Sequence, residues 1–503
     1  MTKKLSIPSR ETGHRYAVEE TRGNLPASPE WLQYSPTSSS TFGRENETAE
    51  SQQMTSDRMD RKPAVVSYRV NSDVPLELSN SQDVIDFLRS VMFAQFRKKD
   101  EVEVTAATST GDEFTVASGG DGYSAGDLFH VETGPNAGIH PVTGTPTATT
   151  VPVTTSLTNE SSVSHVGRRV GFEFDAGDLE VNSDGHLITT AKDCTELGLL
   201  EGEFLAIGGD EADSFFATDA NNTIVRADAI AANLITTSKP RGTLATDDGD
   251  GKSVRLFFAS RILKNEADPQ LVERISLQLE RRMGAPDSSE PTEIQYEYAE
   301  GMLANEATIT NPAAGLVTAN FSLTGTNHTE RDAETGAKSG DRPTADLVDP
   351  FNTANNILRA RLGLHDGDAL VQVIANLSIS ITNNITVLDG VGEPAFDSNE
   401  GRFQVTGDMA AYFQDFELAK AVKGNKTATF DIHWWRGNQG VSLDIPAMSL
   451  SGGQAEAVAD DAIRVPLSFR AYNGRHALDA LNHALMFSFF SYLPNRHMPA
   501  AQV

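Results

Sequence analysis

Three observations predict a mainly β fold in which a host domain is interrupted by two small β modules. First, apolar residues alternate with polar ones in many short runs, the period of a half-buried strand. Second, β-branched residues recur throughout, and 40 Gly and 22 Pro punctuate the runs, a composition that suits many turns. Third, a block without a single Lys or Arg, from Asp100 to Gly167, opens a stretch containing an internal repeat. The chain has 503 residues, of which 39% are hydrophobic. That is enough for cores but too long for one, so about two to four domains are expected.

Residues 1 to about 63 are polar and irregular, with Pro26, Pro29, Pro36 and a hydroxyl-rich run from Thr37 to Thr41. Such a segment buries little alone; it is either a disordered tail or an arm that orders on a neighbouring subunit. Val65, Val66, Tyr68 and Val70, then Val74, Leu76 and Leu78, read as two strands. A helix follows, capped by Ser79, Asn80 or Ser81. Val84, Phe87, Leu88, Val91, Met92 and Phe96 form its apolar face, and Arg97, Lys98 and Lys99 lie at its end, where they suit the helix dipole.

The repeat has two copies of four short strands. One holds Phe114–Val116, Gly126–Phe129, Asn136–Val142 and Thr150–Val153. The other holds Leu187–Thr189, Gly202–Leu205, Asn222–Arg226 and Leu234–Thr236. The expected divisions are 1–100 (arm and first part of the host), 101–160 (first module), 161–184 (connecting segment), 185–238 (second module), 239–471 (remainder of the host) and 472–503 (C-terminal extension). Both modules are expected to close on their own strands and to project outward without adding to the host core.

Past Val254 the host strands resume: Ile275, Leu277, Leu279; Ile294, Tyr296, Tyr298; Leu316 to Leu323; Leu377, Ile379, Ile381; Phe403, Val405; Ala428, Phe430, Ile432; Val441, Leu443, Ile445; Val465, Leu467, Phe469. Gly325 to Pro343 reads as a polar loop. Phe416 to Val422 reads as a short helix stopped by Gly424, and Ala477 to Phe490 as an amphipathic stretch. The arm, the Gly325–Pro343 loop and the C-terminal extension are long for a compact domain and are expected to order only between subunits.

The net charge is −29. A protein that grips nucleic acid by its phosphates needs a basic surface, so firm DNA binding is excluded, whereas letting DNA slide past is not. One cysteine, Cys194, allows neither an intrachain disulfide nor a cysteine-based zinc site. The N-terminus has no apolar run behind Lys3 and Lys4, and no stretch approaches the about 18 apolar residues of a membrane span. Synthesis in the cytoplasm without membrane anchoring is expected.

Gly122-Tyr123-Ser124-Ala125-Gly126 matches the nucleophile-elbow pattern, but a Gly-rich turn stands where the buried strand should be and a short strand where the helix should be. Gly251-Lys252-Ser253 ends like a phosphate loop, yet Thr246 stands where the first Gly belongs and aspartates line the turn. His433, beside Trp434 and Trp435 in a strand, suits packing better than catalysis. The residues make no case for an enzyme, and no catalytic, cofactor-binding or metal-binding residue is assigned.

The last third carries a resemblance. Leu377-Ser378-Ile379-Ser380-Ile381-Thr382-Asn383-Asn384-Ile385 is followed by Gly401-Arg402-Phe403-Gln404-Val405-Thr406-Gly407 and then Ala411-Tyr412-Phe413-Gln414-Asp415. This resembles the tail tube (major tail) proteins of long-tailed bacteriophages, in which a strand ends in Thr-Asn-Asn and a Phe-x-Val-Thr-Gly strand leads to a Tyr-Phe-x-Asp turn and a short helix. Val18-Glu19-Glu20-Thr21 with Gly23, Pro26 and Trp31 is similar to the family's opening segment, Ser56-Asp57-Arg58 to part of its arm, and Asn320 to Gly325 to an earlier strand. The resemblance covers most of residues 15 to 470.

It implies a β-sandwich or barrel flanked by a helix, and homo-hexameric rings that stack into a virion tube delivering DNA. It also implies arms and loops that bridge rings, and partners among the tape measure, tail terminator and tail tip proteins. DNA would pass the lumen without specific binding, along a wall expected to be net negative. The alternative from another class is a secreted or surface β-domain adhesin. That reading explains the repeat and the acidity but not the modules interrupting a host. A serine hydrolase would rest on Ser124 alone.

Overall fold

The computed structural model describes residues 12–37, 42–52, 59, 61–238, 244–284, 294–332, 334–344, 348–364, 374–456, 462–474 and 482–497. The chain is mainly β, and among the described residues there are two α-helices, α1 (Gln82–Met92) and α2 (Glu417–Lys423).

The host is a sandwich made by one hydrogen-bonded network that folds back on itself. In its first sheet, Phe42–Ala49 pairs with Ala64–Glu77, and the order continues through Thr318–Gly325, the second half of Gln295–Asn311, Ile374–Thr382, Gln404–Tyr412 and Arg464–Ala471, all antiparallel. The long strand Gln439–Gly452 turns the corner. Its last residues pair with Arg464–Ala471, and its first with Ala428–Arg436 and Met486–Phe490. Ile357–Leu364, Arg261–Lys264 and Lys98–Lys99 complete the second sheet.

Helix α1 packs into the space between the sheets. Val84, Ile85, Phe87, Leu88, Val91 and Met92 are buried there, in one cluster with Phe321, Ile379, Trp434 and Phe487. It ends at Met92, short of Phe96 and the Arg97–Lys99 run, because Phe93 takes the left-handed conformation (φ 48°). The residues Val65 to Leu78, read as two strands, lie mostly on the single strand Ala64–Glu77, with Leu78 just past its end. Helix α2 ends at Gly424 as its sequence indicates.

The second sheet is buried on both faces, and the parity of its residues shows why. Phe430, Ile432, Trp434, Val441, Leu443, Phe487 and Phe489 face the host core. Their neighbours Trp435, Met486 and Phe490 belong to a different cluster, shared with Leu128, Phe204, Ile224 and Phe257 of the inserted block. Strands covered on both sides have no solvent face to mark with charge, so Asp431, His433, Ser442 and Asp444 are buried polar residues at this seam.

The inserted block is one antiparallel sheet with two cores. Phe114, Tyr123, Phe129 and Val151 belong to the first, and Leu187, Leu205, Phe216, Val225 and Ile235 to the second. The two copies repeat the same pairing. In each, the first short strand pairs with the fourth, Phe114 opposite Val151 and Leu187 opposite Ile235. The second pairs with the third, Asp127–Val131 with Gly138–Pro141 and Phe204–Ile207 with Ile224–Ala231. Even the turns match. Gly126 (φ 92°) and Gly202 (φ 97°) donate to the Val142 and Ala227 carbonyls at 3.0 and 2.6 Å. The next residues, Asp127 and Glu203, accept from the Ser124 and Leu200 amides at 2.8 and 3.2 Å.

The segment 161–184 contains most of the strand Glu160–Glu173. That strand pairs with Glu101–Thr108 and Asp127–Val131 of the first copy, and through Gly171–Glu173 with Arg255–Phe258, which borders Phe204–Ile207 of the second. The block therefore runs from about 101 to 258 with a shared strand at its centre. Among the described residues the block contributes none to the host-core cluster, but it is not free of the host: at the seam, apolar side chains from both copies pack against the outer side of the second sheet.

The order-only-between-subunits expectation is corrected for the parts of these segments that pair or pack within the chain. Thr12–Val18 pairs with Leu277–Met283, and Trp31 is fully buried. Asn327–Asp332 pairs with Gln295–Glu300, while Lys338 and Arg342 reach Glu300 and Glu280. The stretch read as amphipathic, Ala477 to Phe490, contains the strand Met486–Phe490, whose five residues are all buried; residues 475–481 lie outside the described ones. Thr12–Val18 and Met486–Phe490 thus find apolar surface within their own chain, and residues 327–342 find strand and ion-pair partners there.

Candidate assembly and channel surfaces

Six adjacent strands of the first sheet, from Ala64–Glu77 to Arg464–Ala471, leave one face open. Alternation puts Val74, Phe321, Ile309, Ile379, Met409 and Leu467 in the core. It puts Asp73, Asn320, Thr308, Ser378, Asp408 and Ser468 on the open side, exposed or half-buried. The charged residues of that side are Asp73, Glu77, Glu306 and Asp408 against Arg69, Arg464 and Arg470, so the face is net negative. Serines of neighbouring strands hold three of the carboxylates: Ser322 Oγ donates to Asp73 at 2.6 Å, Ser380 to Glu306 at 2.7 Å and Ser468 to Asp408 at 2.6 Å. Each acid is thereby fixed on the wall instead of sweeping through solvent.

The motifs that carried the resemblance turn out to be joints around this sheet. Asn383 is buried, and its Nδ2 donates to the Val91 and Ala304 carbonyls at 2.8 and 2.9 Å. It thereby satisfies a carbonyl in the last turn of α1 that has no partner within the helix. Asn384 is left-handed (φ 51°) and turns the chain into a protruding hairpin, Thr386–Gly390 with Glu393–Asn399. In Phe403-Gln404-Val405-Thr406-Gly407, Val405 is core, and a Cβ on Gly407 would collide with the Ser378 carbonyl and the Phe469 ring. Asp415 accepts from the Glu417 amide at 2.8 Å, starting α2. Glu19 is buried and accepts from the Gly301 and Gly23 amides at 3.0 and 2.8 Å, tying the opening segment to the sheet. Ser56-Asp57-Arg58 lies outside the described residues.

Two hairpins project beyond the same end of the first sheet. The one built on Phe42–Ala49 and Ala64–Glu77 is joined to the one at 386–399 through Asp389. That carboxylate accepts from Arg69 at 2.7 and 3.0 Å, from Ser67 at 2.8 Å and from the Ala395 amide at 2.9 Å. These donors, the Arg69 guanidinium foremost, hold Asp389 well below the usual carboxylate range.

The catalytic look-alikes have structural explanations. Ser124 opens the repeat's turn, with the Asp127 carboxylate on its amide and the strand Asp127–Val131 directly after. It lacks the strained strand-to-helix position of a nucleophile elbow, and its bonds in that turn are made by its backbone amide and carbonyl, which alanine retains. Ser124→Ala is therefore expected to leave the melting temperature within about 1 °C and any esterase background unchanged; turnover that vanished in this variant would revive a hydrolase. Lys252 is occupied by Asp213 at 2.9 Å and the Ala212 carbonyl. His433 is buried between Ser442 and Arg359 and meets the Phe204 ring edge-on at 4.7 Å. Burial, with Arg359 nearby, pushes it below the ordinary histidine range. Among the described residues no group of three or more His, Cys, Asp or Glu is placed to hold a metal ion, and no helix is long and apolar enough to cross a membrane.

The host is thus a β-sandwich with an open polar wall and projecting hairpins. The chain belongs to the phage tail tube protein family, whose model matches residues 9–471. Comparison with curated proteins finds no match. The matched span ends before the C-terminal strand Met486–Phe490.

Proposed function

We propose that the chain assembles as homo-hexameric rings stacked into a tail tube, with the open face of the first sheet lining the lumen through which DNA is delivered, and with no catalytic role. The observation that carries this reading is the open face itself. A six-stranded wall backed by a core, rich in hydroxyls and net negative, repels phosphate and offers no ladder of cations to hold it. The layer order agrees. From the open face outward come the first sheet, the host core, the second sheet, the seam and the inserted block, so the block lies on the side away from the lumen. Tape measure, tail terminator and tail tip proteins are the partners such a tube would meet. Electron microscopy of the purified protein tests the proposal. Hollow tubes with six-fold symmetry are expected. Monomers that adhere to cell surfaces without polymerising would favour the adhesin instead.

A further inference from the structure

Two exposed apolar patches lie at opposite ends of one strand of the open-faced wall, Gln404–Tyr412. Gln404 pairs with Thr382 at one end of the sheet, and Tyr412 with Arg464 at the other. The chain leaves the sheet after Thr382 and returns at Gln404, and between them lies the hairpin 386–399. Its apolar residues are turned outward: Val391 is fully exposed, Phe396 is 54% exposed and Leu388 37%. Past Tyr412, at the other end, Phe413 and Phe416 stack edge to face at 5.2 Å beside Ile463, whose carbonyl accepts from the Phe413 amide at 3.0 Å. Phe416 is 65% exposed and Ile463 41%.

Resting on the tube reading, we infer that the tip of the hairpin 386–399 of one subunit seats against the Phe413, Phe416 and Ile463 patch of a second copy in the next ring. Two different patches at opposite ends of a subunit are satisfied in every copy only by a head-to-tail contact, and such a contact propagates into a stack. Charge points the same way. Residues 386–400 carry no Lys or Arg; Asp389, Asp397 and Glu400 pair within the chain with Arg69, Arg22 and Arg274, and Glu393 is the exposed acid beside the tip, whereas 416–426 carries Lys420, Lys423 and Lys426 against Glu417. All three lysines are exposed. The hairpin is already held in place by Asp389 on Arg69 and by Arg22 on Asp397 at 2.9 Å, so little ordering entropy opposes docking.

The test uses full-length chains. Val391→Asp and Phe416→Asp lie at exposed positions and are each expected to fold with the wild-type melting temperature yet form no tubes. Mixed, they are expected to give pairs of rings and no longer polymer, because only the intact patch of the first fits the intact hairpin of the second. A V391C/F416C chain provides a readout independent of charge. In assembled tubes, oxidation is expected to link chains into a ladder on a non-reducing gel. Cys194 does not interfere, since it is buried and burial pushes its thiol up to about 11. Normal tubes from either Asp variant, or assembled tubes without the ladder, would overturn this pairing and leave the tube reading intact. A wild-type chain that formed no tubes under any condition would instead overturn the tube reading.

Discussion

Removing residues 482–497 is expected to abolish folding of the second sheet and to free the inserted block, even though the truncation lies entirely outside the matched family span. Leu485, Met486, Phe487, Phe489, Phe490 and Leu493 are all buried. At about 1.5–3 kcal/mol for each large apolar side chain, the loss is on the order of 10 kcal/mol or more. That rivals the whole stability of a domain, about 5–15 kcal/mol.

The same segment fastens the block to the host. Phe487 and Phe489 face the host core, and Met486 and Phe490 face the seam. Tyr492 stacks on His130 and Phe257 of the block, at 5.3 and 5.9 Å. The Asn495 and Arg496 amides donate to Asp210 at 2.9 and 2.8 Å, and His497 donates from Nε2 to the Gly208 carbonyl at 3.0 Å. The measurement is limited proteolysis with hydrogen exchange. Strands Ala428–Arg436 and Gln439–Gly452 should lose protection with the block. A truncated chain that kept native protection there would refute the clasp.

Acid is expected to weaken the same seam. Burial brings His130 and His497 each down to about 4, with the Arg168 charge adding to the effect at His130. An unfolded histidine titrates near 6.5. Between those values the unfolded chain binds more protons than the folded one, so stability is full above pH about 6.5 and falls as pH drops toward 4. His130→Gln with His497→Gln should flatten that part of the melting-temperature profile.

Much of the host was legible because its first sheet has one wet face. The alternation of Leu377, Ile379 and Ile381 with Ser378 and Ser380 gives both the core and the open wall. Three serine–carboxylate pairs escaped notice, since Ser322 and Asp73 are far apart in sequence and meet only through strand register. The second sheet defeated periodicity for the opposite reason. With both faces buried, Met486–Phe490 shows no polar side, and the stretch containing it reads as easily as a helix. The two copies of the repeat were visible in their matching turns, around Gly126 and Gly202. Their shared strand was not, because Glu160–Glu173 serves both copies and so belongs to neither pattern. The buried polar residues of the seam, such as Asp444 with Arg226 of the block at 3.7 Å, look like ordinary strand polarity until the partner layer is known.

Reversing the wall's charge is expected to leave tubes intact and to stop or slow DNA delivery severely. Asp73→Lys, Glu306→Lys and Asp408→Lys together change an open face with four acids and three arginines into one with a single acid and six cations. All three sites are on the solvent side of their strands, and each loses a cross-strand serine bond worth about 1 kcal/mol. The host core behind them should hold. In a tube, however, every ring would repeat the change, so DNA would meet cations along the whole lumen. Each phosphate neutralised releases counterions, whatever the sequence, and retention grows with the number of contacts. The native carboxylates act oppositely within about 8–10 Å at physiological salt.

DNA release from phage carrying the triple variant, timed against wild type, provides the measurement. A drop of at least tenfold is expected, with partial recovery as salt rises. The neutral set Asp73→Asn, Glu306→Gln and Asp408→Asn should fall between. Because the neutral set loses the same anions without adding cations, its rate separates repulsion by the native wall from adhesion to the altered one. Wild-type release through morphologically normal tubes of the lysine variant would show that this face does not line the path of the DNA.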